Sequence, residues 1–268
     1  MLKDVTLGQY FPGDTFLHRL DPRTKLLAVI AYIVALFCAR SLLTYGLTVA
    51  VLAVGILVSR VKFSALTRGL KAVYLIVAFT AVMNLFFTAG TPVAQVWLLR
   101  RITVEGIQNA VAMMLRIVLL IMGTFLLTYT TSPISLTDAL ESLLSPLKKI
   151  KFPVHELAMM MSIALRFIPT LIEETDKIMS AQRARGADFS SGGLFRRARA
   201  LVPILVPLFV SAFRRADELA TAMECRCYHG GEGRTKLHVL SFRTADVAVL
   251  AGFCLFAGGV IALRSLGM

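Results

Sequence analysis

Apolar residues run almost unbroken from 26 to 39 and from 42 to 58, with only Arg40 and Ser41 between the two runs. A bilayer core asks for about 20 residues per helix. One long helix would bury Arg40 near mid-membrane at high cost. The pattern therefore predicts two short helices, extended to the interfaces by snorkelling Lys25, Arg40 and Arg60. Residues 60 to 71 change character: Arg60, Lys62, Arg68 and Lys71 interleave with Phe63, Leu66 and Leu70. That is an amphipathic connector lying at an interface. A third span follows over about 72 to 90 and a fourth over about 106 to 128, with Arg116 inside it. Between them Trp97 suits an interface anchor. A last apolar run places a final span at about 244 to 263.

Residues 133 to 243 read differently: they predict three helices that are not spans. The first, about 135 to 149, is short. The second starts near Pro153, a residue suited to a first helical turn, and reaches Arg185. Its apolar positions Val154, Leu157, Ala158, Met161, Leu165, Ile168, Leu171, Ile172, Thr175 and Met179 recur every three or four residues, the stripe of an amphipathic helix. Pro169 is expected to kink it. Met159, Met160 and Ile163 widen the apolar surface near its start, and a Met-rich surface adapts to a partner that changes orientation. The third helix, about 194 to 227, carries an apolar run from Leu201 to Phe213. Pro203 and Pro207 interrupt it, and it is too short for a comfortable span. Ala212, Ala216, Ala220 and Met223 form a small-residue stripe that permits close helix crossing. Arg214 and Glu218 are spaced for an i,i+4 pair.

The fold class that follows is an all-α integral membrane protein: about five transmembrane helices plus a module of about three helices, two of them long and crossing. The organisation is 1–25 an N-terminal segment, 26–128 a bundle of about four spans, 129–243 the module and 244–268 the final span. Composition agrees, at 57% hydrophobic residues and a mean hydropathy of +0.73. A net charge of +13 would suggest nucleic acid in a soluble protein. Beside this hydropathy it points to basic loops against anionic lipid, and no nucleic-acid partner is expected. Residues 1 to 25 lack the apolar core of a signal peptide. In the short segments, Lys3, Arg19, Arg23, Lys25, Arg60, Lys62, Arg68 and Lys71 oppose Arg40, Arg100, Arg101 and Arg264. That bias places the N-terminus and the module in the cytoplasm and the C-terminus outside.

Little enzymatic chemistry is present. Gly231-Glu232-Gly233-Arg234-Thr235 lacks the lysine and upstream glycine of a nucleotide-binding loop. No nucleophile elbow, zinc-protease motif or plausible carboxylate pair appears, so no catalytic residue is assigned. Cys225, Cys227 and His229 resemble a ligand cluster, but no second cluster exists and i,i+2 side chains on a helix diverge. No metal site is expected. Arg116 calls for a polar partner in the bundle, such as Asn84.

The most informative pattern is a repeat at an offset of 41 residues. Asp176, Ile178, Ser180, Ala181 and Arg185 match Asp217, Leu219, Thr221, Ala222 and Arg226. Each arginine has small neighbours and a glycine soon after, Gly186 in one case and Gly230-Gly231 in the other. Taken singly, an arginine near a helix C-terminus is a solvated cation that complements the helix dipole. As a matched pair the two suit docking onto something that itself comes in pairs, each guanidinium forking onto carboxylates or carbonyls.

Ala181-Gln182-Arg183-Ala184-Arg185-Gly186-Ala187-Asp188-Phe189 resembles the first Ala-Arg-Gly motif of the transmembrane coupling subunit of energy-coupling-factor (ECF) vitamin transporters. The stretch from Ser211 to Tyr228 resembles that family's second motif, with Cys225 where alanine is common. Asp21-Pro22-Arg23-Thr24-Lys25 ahead of the first span extends the resemblance across most of the chain. It implies a non-catalytic subunit of an ABC-type importer in a bacterial cytoplasmic membrane. Ala184, Arg185, Gly186, Cys225, Arg226 and Cys227 would dock two ABC-type ATPases. Met159, Met160, Met161 and Ile163 would contact a membrane-embedded substrate-binding subunit. The chain itself would bind no cofactor, ATP and magnesium belonging to the ATPases, and the cargo would be a vitamin or metal. Two other readings compete on residues alone: a self-contained secondary transporter using Arg116, and a membrane anchor that holds anionic lipid.

Overall fold

The computed structural model describes residues 10–88, 103–187, 189, 193–230 and 240–265. Its elements are helical: α1 (Phe16–Arg19), α2 (Pro22–Cys38), α3 (Leu42–Ser59), α4 (Phe63–Phe87), α5 (Val104–Thr130), α6 (Pro133–Leu144), a 3-10 segment (Ser145–Ile150), α7 (Val154–Ala184), α8 (Leu194–Cys225) and α9 (Thr244–Ser265). Helix ends follow local chemistry. Pro22 opens α2 behind an Asp21 cap. Ser41 and Thr44 form a reciprocal capping box at α3, so the Arg40-Ser41 break is a turn between two helices. The chain forms two compact units, one within 140–239 and the other comprising 9–139 and 240–268.

In the second unit, side-chain contacts fix the direction of each helix. Lys25 bonds the Thr130 carbonyl and Arg116 the Ala39 carbonyl, so α2 and α5 run in opposite directions. Tyr129 donates to the Ala65 carbonyl, and the end of α4 meets the start of α5 at Gly106, giving an antiparallel α4–α5 pair. Asp21 meets Asp246, and Tyr32 stacks on Phe256, so α9 runs alongside α2 in the same direction. The core gathers Tyr32, Leu36, Tyr45, Leu66, Leu119 and Val260. Two glycines allow its closest approaches. A Cβ on Gly123 would lie 2.7 Å from the Tyr32 ring, and one on Gly69 would run into the Phe125 ring.

Four described helices, α3, α5, α7 and α9, are long and apolar enough to cross a membrane, and five if the two arms of α4 count as one span. Those arms, Ser64–Lys71 and Val73–Phe87, meet at 63°, which separates the basic amphipathic stretch from the apolar one. At 17 residues, α2 is about 26 Å long, slightly under a hydrocarbon core. It is nonetheless packed among α3, α5 and α9.

One end of this bundle holds a buried polar knot. Asp246, 1% exposed, accepts from the backbone N–H of Asp21 and of Arg243, both at 2.8 Å. The Lys25 ammonium donates to the carbonyls of His18 (3.1 Å) and Thr130 (3.0 Å), satisfying the last residue of α5. Arg23 pairs with Asp21 at 3.5 Å and donates to the Leu240 carbonyl at 2.7 Å. Four opposed charges close together are tolerable in so buried a place because each finds a partner. The Asp-Pro-Arg-Thr-Lys segment therefore ties the start of α2 to the start of α9 and the end of α5. The chain leaves and re-enters the bundle at the same end.

Candidate docking site

In the other unit, α7 and α8 run in opposite directions. Arg215 bridges to Glu174 at 3.0 Å, and Gln182 donates to the Pro203 carbonyl at 3.4 Å. The second contact follows from sequence: Pro207 has no N–H to give the carbonyl four residues earlier, so the Pro203 oxygen is left for a side chain. The Ser211 hydroxyl first, then the Arg215 guanidinium, hold the Glu174 carboxyl below the usual carboxylate range. The Arg214–Glu218 pair expected along α8 is not formed among the described residues; the neighbouring Arg215 is the one that pairs, across to Glu174 on α7. Between the helices lies a groove of about 260 Å³ lined by Ile163, Phe167 and Leu171 on one side and Ala212, Ala216, Ala220 and Met223 on the other. The small-residue stripe does face the partner helix. The facing stripe of α7 is displaced from the expected one: Leu171 belongs to it, whereas Leu157 and Met161 stay exposed.

Both arginine tips have the same backbone. At the end of α7, Gly186 N–H donates to the Arg183 carbonyl (2.9 Å) and Ala187 N–H to the Gln182 carbonyl (3.0 Å). At the end of α8, Cys227 N–H donates to the Glu224 carbonyl (2.8 Å) and Tyr228 N–H to the Met223 carbonyl (3.1 Å). These are two Schellman caps, related by the same offset as the sequence repeat. One turn earlier the match continues: the Ser180 hydroxyl donates to the Asp176 carbonyl and the Thr221 hydroxyl to the Asp217 carbonyl, at 2.8 and 2.9 Å. Arg185 and Arg226 are the C-cap residues. The left-handed position is Gly186 (φ 86°) in the first cap and Cys227 (φ 55°) in the second. The glycine equivalent to Gly186 is thus replaced by Cys227, and Gly230 lies beyond the cap. Ala184, Arg185, Gly186, Cys225, Arg226 and Cys227 are all exposed.

Because α7 and α8 are antiparallel, their C-terminal tips lie at opposite ends of the pair. Arg185 is close in sequence to Gln182, which touches Pro203. From Pro203 to Arg226, α8 rises about 35 Å, which is the scale of the separation between tips. Cys227 lies past the helix end, so the expectation that i,i+2 side chains diverge on a helix does not govern it. Among the described residues, no three His, Cys, Asp or Glu side chains come together as metal ligands.

Other sites differ from expectation. Met160 and Met161 are exposed and Met159 half-buried, whereas Ile163 turns into the α7–α8 groove. A larger apolar surface was not anticipated. On α8, Leu201, Val202, Leu205, Val206, Phe209, Val210 and Phe213 are exposed, while Ile204, Leu208, Ser211 and Arg215 turn inward. The signal was present in sequence as an apolar run too short to span. Arg116 does not pair with Asn84, which donates to Thr80 within its own helix. It donates to the Ala39 carbonyl at 3.1 Å and the Tyr45 hydroxyl at 2.8 Å, with its guanidinium 5.9 Å from the Phe37 ring centre. It thereby closes the C-terminus of α2, where helix carbonyls lack donors and attract a cation.

The family model described as "CbiQ: Cobalt transport protein" matches residues 13–237. The chain belongs to this family. Its relatives include the energy-coupling factor transporter transmembrane protein EcfT of Clostridium kluyveri, 55% identical over 95% of this chain and 94% of that protein. EcfT of Acidaminococcus fermentans is 53% identical over 96% and 97% of the two chains. EcfT of Bacillus subtilis is 48% identical over 99% and 100%. As a CbiQ-family member this chain is the transmembrane component of an energy-coupling factor transporter. Both arginine motifs and the Asp21–Lys25 segment lie within the matched range.

Proposed function

We propose that this chain couples ATP-driven motion in two ABC-type ATPases to a membrane-embedded substrate-binding subunit, for uptake of a vitamin or metal. The observation that carries the proposal is the pair of equivalent, exposed arginine caps at opposite ends of the antiparallel α7–α8 pair. Each cap offers a guanidinium flanked by small residues, which lets a partner's backbone approach and lets the fork engage carboxylates or carbonyls. Two equivalent tips suit two equivalent grooves. ATP and magnesium act on the ATPases, and this chain transmits displacement. A change in the distance between the ATPases would pull on the two tips and alter how α7 and α8 cross. The substrate-binding subunit rests on the exposed apolar face of α8, together with Met160 and Met161.

Parity supports a module on one side of the membrane. The chain leaves the bundle at Thr130 and returns at Asp246 at the same end. An odd number of crossings between them would put those ends on opposite sides. α7 is long and apolar enough to cross, whereas α8 is not among the described helices that qualify, which supports reading both as parts of the module. With the bias of Lys and Arg in the short segments, that side is cytoplasmic. The hydrogen bonds of Arg116 go to a helix end and a tyrosine, a structural task that favours the coupling reading over a self-contained transporter.

The test is uptake by vesicles holding the reconstituted complex. Arg185→Ala with Arg226→Ala should abolish ATP-driven uptake while the substrate-binding subunit stays bound. Val206→Asp with Phe209→Asp should release that subunit and leave the ATPases in place. Unchanged uptake with both arginines removed would sink the proposal.

A further inference from the structure

A cavity of about 410 Å³ opens among α1, α2, α3, α5 and α9 in the membrane bundle, with Phe16, Val54, Leu126 and Val249 in its walls. Three lining side chains carry polar atoms, and each already makes at least one hydrogen bond within the bundle. Lys25 donates to the His18 and Thr130 carbonyls, the Tyr32 hydroxyl to the Leu119 carbonyl, and the Thr130 hydroxyl to the Leu126 carbonyl. Water needs two to four polar partners to be held in such a space, and this lining, apolar but for three side chains already engaged elsewhere, is a poor host for it. It is not sealed: Val54 is 59% exposed and Ala50 is exposed as well, both on α3, which the surrounding bilayer meets. Hydrocarbon is the solvent on that side.

The cavity lies toward the end of the bundle where α2 and α9 begin and where α3 and α5 finish. There the surface is basic. Arg19 directly precedes lining residue Leu20, and Arg60 follows lining residue Val58 by two positions; both are exposed. We infer that the groove holds one acyl chain of an anionic glycerophospholipid, with its phosphate over Arg19 and Arg60. An acyl chain matches the apolar, bilayer-facing lining, and the two guanidinium groups select the headgroup. This site depends on the bundle's insertion in a bilayer and not on the coupling reading.

The test uses the full chain in nanodiscs containing phosphatidylglycerol with a photoreactive group in its acyl chain, and crosslinked peptides are mapped by mass spectrometry. Label should concentrate at Val54, Leu126 and Val249, located residue by residue by fragmenting each peptide, since Val249 and Leu255 share one tryptic peptide. Val54→Trp, entering from the exposed wall, should remove it while label at Leu255, 78% exposed on α9, persists. Ala50→Phe is a second filling variant in case the first does not fold. Phosphatidylcholine with the same chain should label the groove about tenfold less, and Arg19→Gln with Arg60→Gln should erase that preference. Equal labelling of groove and Leu255 in the wild type, or groove labelling that survives both filling variants, would overturn the site. Equal labelling by the two lipids would overturn the anionic assignment.

Discussion

Replacing Asp246 with alanine should be among the most damaging single changes in the bundle. The carboxylate accepts from two backbone N–H groups at 2.8 Å, those of Asp21 and Arg243. A buried donor left without a partner costs about 1–3 kcal/mol. The full cost applies at Asp21, which is buried, and much less at Arg243, which is exposed. Lys25, also buried, loses one of the two carboxylates whose charge acts on it. Breaking a buried charge pair costs about 3–5 kcal/mol, a ceiling here because Asp21 remains beside it. Taken together the change should cost about 4 kcal/mol. For a chain of this size that lowers the melting temperature by roughly 10 °C. Asp246→Asn keeps one acceptor oxygen and should lose about half as much. In a double-mutant cycle with Lys25→Met, the combined loss should fall short of the sum by about 1 kcal/mol. The assay is scanning calorimetry in detergent at a fixed scan rate. An Asp246→Ala protein that melts within about 2 °C of the wild type would show that the knot does not hold the ends of α2, α5 and α9 together.

Three further outcomes are expected. Gly186→Ala, at φ 86° with open space around it, should destabilise the first cap by about 1 kcal/mol through backbone strain alone, whereas Cys227→Gly should stabilise the second by a similar amount; amide exchange of the last turns of α7 and α8 reads both. Gly69→Ala would drive a Cβ into the Phe125 ring and cost about 1–3 kcal/mol, seen as a lower melting temperature. Arg116→Leu strips the donor from the Ala39 carbonyl and the Tyr45 hydroxyl, and should cost about 2–3 kcal/mol with uptake reduced only in proportion to folded protein.

The sequence exposed some of this more readily than the rest. The paired tips were visible because the turns leading into them repeat: Asp176, Ser180, Ala181 and Arg185 recur as Asp217, Thr221, Ala222 and Arg226, although within the caps themselves only the arginine is shared. Helix starts after Ser41 and at Pro153 were legible because their signals are also local. What escaped notice depends on tertiary neighbours. In sequence Asp246 is one acid in the first turn of the last helix, and only the return of α9 beside α2 makes it the centre of a buried knot. Arg116 was matched to Asn84 because both lie in apolar runs, yet the antiparallel packing of α2 against α5 brings Ala39 and Tyr45 to it. The apolar stripe on α7 was placed a little off its true facing line, since its early part is apolar on several faces and periodicity alone cannot choose among them. The exposed apolar face of α8 needed the position of α7 to be recognised.

The account stands or falls on the two arginines. The measurement is co-purification, from mild detergent, of the ABC-type ATPases with the wild-type chain and with the Arg185→Glu, Arg226→Glu variant. Truncating one desolvated contact of this kind costs about 2–5 kcal/mol, and a reversed charge adds repulsion. The variant should therefore insert and fold normally, keep the substrate-binding subunit and lose both ATPases. ATPases retained equally by both proteins would contradict docking through the tips.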